Sequence, residues 1–214
     1  DIRCGTVSGG VSADIGGNIY TNSDNIMISG GTIADGVCAV KNLNYNEKTW
    51  SGGSKNASSG NIANVNGNLH ISGGLITGGV ISNSNAPDES AKVFVSGAAQ
   101  VTGTGIQLTS GLKGSDVYYR IPSFSYESVA GLDAENAEIA VRCDAFRNPY
   151  LEGICLVARP ESLTDAQWSQ FKTQVDAVLK SGSDKNIITF EADGVWLRPL
   201  PAAGTRYSCA CGAN

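Results

Sequence analysis

The 214-residue sequence has little charge and a single histidine, His70, and these shortages narrow the function classes open to it. Charged residues make up 16% of the chain, the net charge is −5, and lysines and arginines form no run. Nucleic acids and anionic membrane surfaces attract basic patches, so neither is expected as a partner. A lone histidine with no positioned serine or cysteine also argues against a catalytic triad.

Membrane spans and phosphate-binding loops are missing as well. No apolar run approaches the roughly 20 residues that cross a bilayer, so we expect no membrane span. Glycine-rich stretches such as 51–54 lack the Gly-Lys-Ser/Thr ending of a phosphate loop, and we expect no cofactor. The sequence opens at Asp1 within what resembles a repeat unit, which indicates a mature product or a piece of a longer multi-module chain.

Glycine is abundant, with 27 residues, and it recurs in a tetrapeptide made of one apolar residue followed by Ser-Gly-Gly or Ser-Gly-Ala. The copies begin at Val7, Ile28, Trp50, Ile71 and Val95, at steps of about 21 to 24 residues. Residues two apart on a strand share a face, and Gly-Gly permits the positive φ of a corner. The pattern therefore predicts a mainly β chain whose residues 1–133 form a parallel β-helix, closed by an aromatic segment at 117–133.

The third copy fits this pattern least well. Lys48 stands where an inward apolar residue is expected, and Ser54-Lys55-Asn56 follows where apolar residues should resume. Two interpretations stay open: a regular rung, or an excursion over 40–60 whose Trp-Ser-Gly-Gly is partly coincidence. The best-formed rung is predicted for 61–84.

The second half of the sequence changes in kind, and we predict a small α+β unit over 134–201. Residues 137–143 and 153–159 have the apolar character of strands. Thr164 and Gln167 have capping-box spacing and predict a helix over about 164–180. Asp193-Gly194 between apolar runs predicts a hairpin over about 187–198, and 202–214 is interpreted as a linker.

The cysteines give no clear disulfide framework. There are six of them: Cys4, Cys38, Cys143, Cys155, Cys209 and Cys211. The repeat register puts Cys4 and Cys38 on different sides of a rung, too far apart for a bridge. A bridge between Cys143 and Cys155 stays open, and Cys209-Ala-Cys211 offers only half a zinc site. We expect free thiols for most of the six.

Candidate binding residues come from the position just before each repeat anchor, which should point outward. This position holds Thr6, Met27, Thr49, His70 and Phe94. We predict a contact surface made by Met27, His70 and Phe94 together with the anchor Trp50, unless segment 40–60 covers it. Asp14 and Asp35 share one register position, which allows either a cation or sugar site or a solvated pair of loop residues. No metal is expected, and Asp14, Asp35, Cys209 and Cys211 are only weak candidates.

The rungs at 28–33 and 71–79 resemble right-handed parallel β-helix segments of large secreted or cell-wall-attached proteins of anaerobic gut bacteria. The tail at 207–212 resembles a His-Cys-x-Cys-Gly element that separates modules in such proteins, although Ser208 stands where that element has histidine. The resemblance covers about 7–110 and the tail. It implies an extracellular, surface-exposed chain with a non-catalytic role.

Two functions remain in competition. The first is adhesion, meaning binding to a host glycan or host protein such as mucin or immunoglobulin, or service as a structural spacer. The second is a carbohydrate-active β-helix enzyme of the polysaccharide lyase or glycoside hydrolase type, which needs at least two carboxylates within about 10 Å. The shortage of clustered carboxylates favours the first.

Overall fold

The computed structural model describes residues 1–12, 16–21, 25–38, 60–64, 67–82, 93–108, 122–143 and 153–200. The strands are β1 (Thr6–Ser8), β2 (Val11–Ser12), β3 (Ile19–Thr21), β4 (Ile26–Ala34), β5 (Val37–Cys38), β6 (Ile62–Asn64), β7 (Leu69–Thr77), β8 (Val80–Ser82), β9 (Val93–Val95), β10 (Gln100–Gln107), β11 (Glu138–Arg142), β12 (Ile154–Ala158), β13 (Leu179–Ser181), β14 (Asn186–Phe190) and β15 (Gly194–Pro199). The helices are α1 (Tyr126–Ala130) and α2 (Asp165–Val178). The chain is mainly β with parallel sheets, as the sequence predicts.

Ten strands join one sheet in which every pair is parallel. Its paired aliphatic residues fall into three columns, each with one residue from successive passes of the chain. The first column is Ile2, Ile28, Ile71 and Val95; the second is Val7, Ile33, Ile76, Val101, Ile139 and Leu179; the third is Ile19, Ile62, Val80, Ile106 and Val141. We call one pass through the columns a rung.

The two glycines of the Ser-Gly-Gly element have different structural roles. Gly31 and Gly74 both have φ of +80°, a conformation that favours glycine and bends β4 and β7 between the first and second columns. The glycines before them lie against the neighbouring rung. A Cβ on Gly30 would lie 2.1 Å from the Arg3 carbonyl oxygen, and one on Gly73 would lie 2.7 Å from that of Ser29. The motif therefore marks a corner where backbones stack directly.

The first copy of the tetrapeptide has a different register from the one expected. Val7 pairs with Ile33 rather than with Ile28, and Ile28 instead bridges to Ile2. The corner of the first rung is made by Gly5, whose φ of +82° matches that of Gly31. Equal spacing of Ser-Gly-Gly was misleading here because Ile2 and Val7 are also five residues apart, as Ile28 and Ile33 are. Thr6 therefore lies beside Thr32, outside the row that holds Met27.

The second and fourth copies are direct neighbours, because β4 pairs with β7 along most of its length. The third copy, and with it both interpretations of 40–60, falls on 39–59, outside the described residues. The fourth and fifth copies are also adjacent, since β7 pairs with β9.

The parallel pairing continues past the boundary expected at 133. Glu138 and Ile139 of β11 pair with Gln100 and Val101 of β10, and β13 pairs with β11 in turn. Buried side chains from both halves form one core. Within the aromatic closing segment the chain forms the short helix α1, which the sequence did not lead us to expect. Its N-cap is Ser125, whose hydroxyl accepts a hydrogen bond from the Ser128 N–H.

The last 48 described residues contain the helix and hairpin at the places expected. Helix α2 begins with a capping box in which Thr164 and Gln167 satisfy each other's backbone N–H groups. Its buried face is Trp168, Phe171, Val175 and Val178. Strands β12, β15 and β14 form a separate antiparallel sheet, and Cys143 and Cys155 are buried without a disulfide between them.

Candidate binding surface

Three neighbouring strands bring Met27, His70 and Phe94 side by side. Met27 pairs with His70, and His70 pairs with Phe94. The residues immediately before and after each of these three along its strand are buried. Successive side chains on a strand point to opposite faces, so Met27, His70 and Phe94 point outward. We call them the outward row. The row was predicted from sequence, and its alignment arises because the second, fourth and fifth repeat copies share a register.

The aromatic members of the outward row stack on each other. The His70 and Phe94 rings have centroids 4.5 Å apart and planes 8° from parallel. Both are half-buried, whereas Met27 is 54% exposed. The row thus offers a thioether and the outer edges of two stacked rings, on strands whose opposite side chains are buried.

Polar side chains flank the row on both sides. Two residues before and after it along the strands lie Asn25, Asn68, Ser29, Ser72 and Ser96, and we call these five and the outward row together the outward face. Asn25 uses its Oδ1 to accept a hydrogen bond of 2.9 Å from the Asn68 N–H, which fixes the amide at the edge. An apolar strip between carboxamides and hydroxyls can bind a ligand that is itself apolar on one face and rich in hydroxyls around its rim.

The ends of the outward row differ. Because Ile2 bridges to Ile28, the Met27 end borders the first residues of the chain, where Arg3 Nε donates to Asp1 at 2.6 Å. This ion pair is exposed, so it contributes at most about 1 kcal/mol. At the Phe94 end, Ser128 of α1 bonds to Val95, and the helix bounds the row.

Of the remaining sequence candidates, Asp35 lies within the described residues. Trp50, Asp14, Cys209 and Cys211 lie outside the described residues. Asp35 is exposed with φ of +55°, and it falls opposite Gly9, because Ser8 pairs with Ala34 and Val11 with Val37. The register that placed Asp14 over Asp35 is therefore not the one adopted. In the described part of the chain no three His, Cys, Asp or Glu side chains lie close enough to hold a metal.

Two asparagines form a ladder that sequence reasoning missed. Asn18 Nδ2 donates to Asn61 Oδ1 at 2.8 Å and to the Ala34 carbonyl at 2.8 Å. Asn61 Oδ1 also accepts from the Gly36 N–H, and its Nδ2 donates to the Thr77 carbonyl at 2.6 Å. These bonds join successive rungs at the corner before the third column. The available signal was the repeated Gly-Asn-Ile at 17–19 and 60–62.

The Cys155 thiol is not poised for nucleophilic chemistry. Burial, with the nearby Asp193 carboxylate adding to it, raises the pKa of the Cys155 thiol to about 11. A thiol with so high a pKa is a poor nucleophile at neutral pH. Cys4 is exposed on the first rung.

Three comparisons with known proteins found no match for this chain. No family model matches it, and neither a curated protein nor a solved structure does. Among the described residues, neither helix is both long and apolar enough to span a bilayer.

Proposed function

We propose that this chain is a non-catalytic binding module of an extracellular bacterial surface protein, and that its outward face binds a host glycan. The observation that carries the proposal is the stack of His70 on Phe94, aligned with Met27 and bordered by carboxamides and hydroxyls. A pyranose ring has an apolar C–H face and a rim of hydroxyls. The Met27 thioether and the stacked rings supply an apolar contact for these C–H groups, while the flanking amides and hydroxyls bond to the rim.

The size of the outward face favours a glycan over a protein. Three strands at about 4.8 Å spacing make the row roughly 10 Å wide, which matches one or two sugar rings. A stable protein interface needs about 800 Å² from each partner and an apolar core larger than three side chains. Binding to a host protein remains the second version of the same non-catalytic role.

The proposed architecture is a right-handed parallel β-helix. Its support is the set of three buried columns, each built from parallel strands of successive rungs. Such a scaffold suits display, because the columns fix the spacing of outward side chains at the strand separation. None of the eight residues of the outward face is acidic, whereas glycoside hydrolysis requires a pair of carboxylates, and this supports a non-catalytic role over an enzyme.

A glycan array with four proteins tests the proposal. The wild type should bind a defined set of glycans, and Phe94→Ala and His70→Ala should each lose at least about tenfold in affinity, because losing a stacking partner removes roughly 1.4 kcal/mol or more. Tyr20→Ala is the control, since Tyr20 is another aromatic residue on a strand of the same sheet and lies outside the outward face. Thermal melts check that all four proteins fold.

The other results have definite meanings. Equal binding by wild type and both outward-row variants would overturn the assignment to this surface. No glycan binding, with a host protein captured through the same residues, would replace the glycan by a protein. Cleavage of a polysaccharide, lost in Asp35→Asn, would favour the enzyme.

A further inference from the structure

The outward face repeats itself from one strand to the next. It consists of three rows that cross the strands: Asn25 and Asn68; Met27, His70 and Phe94; and Ser29, Ser72 and Ser96. Neighbours within a row are one strand apart, about 4.8 Å, and successive rows are two residues apart along a strand, about 6.7 Å. The serine row is the least regular, because Ser29 pairs with Gly73.

The apolar contact on this face runs across the strands. Along β7, the next outward side chains on either side of His70 are Asn68 and Ser72, so the apolar strip in that direction is one residue long. Across the strands, the neighbours of His70 are Met27 and Phe94. A ligand that uses all three apolar side chains must therefore lie perpendicular to the strands.

The two polar rows lie at a separation that suits one sugar ring lying flat. They are four residues apart along a strand, roughly 13 Å, and a hydrogen bond of about 2.8 Å on each side leaves roughly 7–8 Å between them. This gap is close to the width of a pyranose ring with the hydroxyl groups on its two edges. The Asn68 N–H holds Asn25 Oδ1 at 2.9 Å and so orients one border of the gap.

We propose that the outward face binds a β1→4-linked chain of all-equatorial sugars, glucose or N-acetylglucosamine, which lies along the outward row and across the strands. This inference rests on the proposed glycan binding and adds the linkage, the ring configuration and the direction of the chain. The observation that carries it is the order of the rows, with one apolar row between two polar ones and all three crossing the strands.

The β1→4 linkage is the one that matches this arrangement. It joins two equatorial bonds and keeps successive rings in a flat ribbon, whose length per sugar is close to the strand separation of about 4.8 Å. Successive sugars turn over, so each border meets the hydroxymethyl edge of one ring and the hydroxyl edge of the next. Carboxamides and hydroxyls both donate and accept hydrogen bonds, so either border can bond to either edge.

Other linkages and configurations fit less well. In an α1→4-linked chain each ring is turned relative to the one before, so the second ring leaves the face. An axial hydroxyl, as in galactose or mannose, places a polar group on one ring face. Against the Met27 thioether that hydroxyl would lose its hydrogen bonds to water, which costs free energy.

The sequence supplies two signals that report on the outward row alone. Met27 is the one methionine of the chain and His70 is the one histidine. A full chain labelled with ¹³C at the methionine methyl group therefore gives a single methyl signal in NMR, and the imidazole C–H signals are equally unambiguous. The protein is titrated with cello-, chito- and malto-oligosaccharides of increasing length, and the shifts of both signals give the Kd.

Length and linkage should both change the Kd. In the cello or the chito series we expect the disaccharide to bind at least about tenfold more tightly than the monosaccharide, because a second ring contacts the row. Longer chains should gain less than about threefold more, because the row is about two sugars long. Maltose should bind at least about tenfold more weakly than the β1→4-linked disaccharide that binds. The two β1→4 series distinguish glucose from N-acetylglucosamine.

One variant tests the direction of the chain. Met27→Gln puts a polar group at one end of the row and should weaken disaccharide binding at least about fivefold, read from the His70 signals, with less effect on the monosaccharide. Ile187→Gln is the matched control, since it makes the same change at an exposed aliphatic residue of β14, and it should leave the Kd unchanged. Melting temperatures check that both variants fold.

Each contrary result has a separate meaning. Equal affinity for maltose and for the β1→4-linked disaccharides, or no gain from one sugar to two, would overturn the linkage. An unchanged disaccharide Kd in Met27→Gln would overturn the direction across the strands. If none of the three series shifts either signal while the glycan array still shows binding that depends on Phe94, this inference fails and the proposed function stands. No binding in either experiment would overturn both.

Discussion

The two ends of the parallel columns differ in how far their terminal apolar residues are buried. At the end made by Val95 and Leu179, both terminal column residues are at most 3% exposed. At the opposite end, made by Ile2, Val7, Val11, Ile19 and Tyr20 and called the open end here, Ile2, Val7 and Ile19 are half-buried and Val11 is largely exposed. A stack of strands always has two edges, and here one of them is covered by α1, α2 and the antiparallel sheet.

The covered end shows what closure requires. Ser128 Oγ accepts from the Val95 N–H at 2.9 Å and donates to the Val95 carbonyl at 2.6 Å, so a side chain replaces a neighbouring strand. Phe171 of α2 then packs against Tyr126 of α1, with ring centroids 4.6 Å apart. Hydrogen bonding and apolar burial are therefore both supplied by non-repeating sequence, and the repeat alone provides neither at its ends.

Replacing Phe171 by alanine should give the largest effect. Phe171 is 3% exposed and contacts both Tyr126 and Trp168, so Phe171→Ala should lower the free energy of unfolding by about 3–5 kcal/mol. The matched change at the open end, Tyr20→Ala, should cost less than about 1 kcal/mol because Tyr20 is mostly exposed. Urea denaturation measures both. Similar losses would mean that the open end is as well packed as the closed one.

The asparagine ladder should show a graded effect along the columns. Asn61 is fully buried and its side-chain amide bonds to three described partners. Asn61→Ala should lower the free energy of unfolding by about 2–3 kcal/mol, because the Gly36 N–H and the Thr77 carbonyl lose their hydrogen bonds to this amide. Asn18→Ala removes a partly buried amide at the open end and should cost about 1 kcal/mol. Urea denaturation of the two variants and of exposed-site control Asn25→Ala checks the order. A larger loss of unfolding free energy in Asn18→Ala than in Asn61→Ala would contradict the weaker packing of the open end.

The Ser128 hydroxyl should stabilise the fold through its hydrogen bonds to the edge strand at Val95. Ser128→Ala removes both side-chain bonds to Val95 and should lower the free energy of unfolding by about 1–2 kcal/mol. Hydrogen exchange at the Val95 amide should speed up in the same variant. The control is Ser169→Ala, at an exposed position of α2. Unchanged exchange at Val95 would show that the helix protects the edge without this hydroxyl.

Local patterns in the sequence were enough to place much of this fold. Alternation of apolar residues around Ile28, Ile71 and Val95 gave the inward and outward faces, and so aligned Met27, His70 and Phe94. Thr164 and Gln167 gave the start of α2, because a capping box is encoded within four residues.

The errors came from features that depend on long-range pairing. The first copy at Val7 looked equivalent to the others, yet the competing aliphatic pair Ile2 and Val7 took the paired position. The ladder of Asn18 and Asn61 joins residues 43 apart, and a polar residue in a glycine-rich stretch gives no sign of burial. Helix α1 is five residues long and exists because it closes an edge, so its local signal is weak.

The smallest expected effect is the contribution of the Cys155 thiol to the pH dependence of stability. It compares a buried thiol near the covered end with an exposed thiol on the first rung. Burial raises its pKa to about 11 in the folded chain, above the ordinary thiol value of 9.0. Between these values the unfolded chain binds fewer protons than the folded one, so stability falls as pH rises from about 9 toward 11. Cys155→Ala should have a shallower fall than wild type over this range, whereas Cys4→Ser, at the exposed thiol of the first rung, should match wild type. Denaturation at pH 8 to 11 measures the slopes, and tyrosine and lysine titrations cancel in the differences. Equal slopes in all three proteins would mean that water reaches Cys155 and that the antiparallel sheet closes its end less completely than the packing of Phe171 indicates.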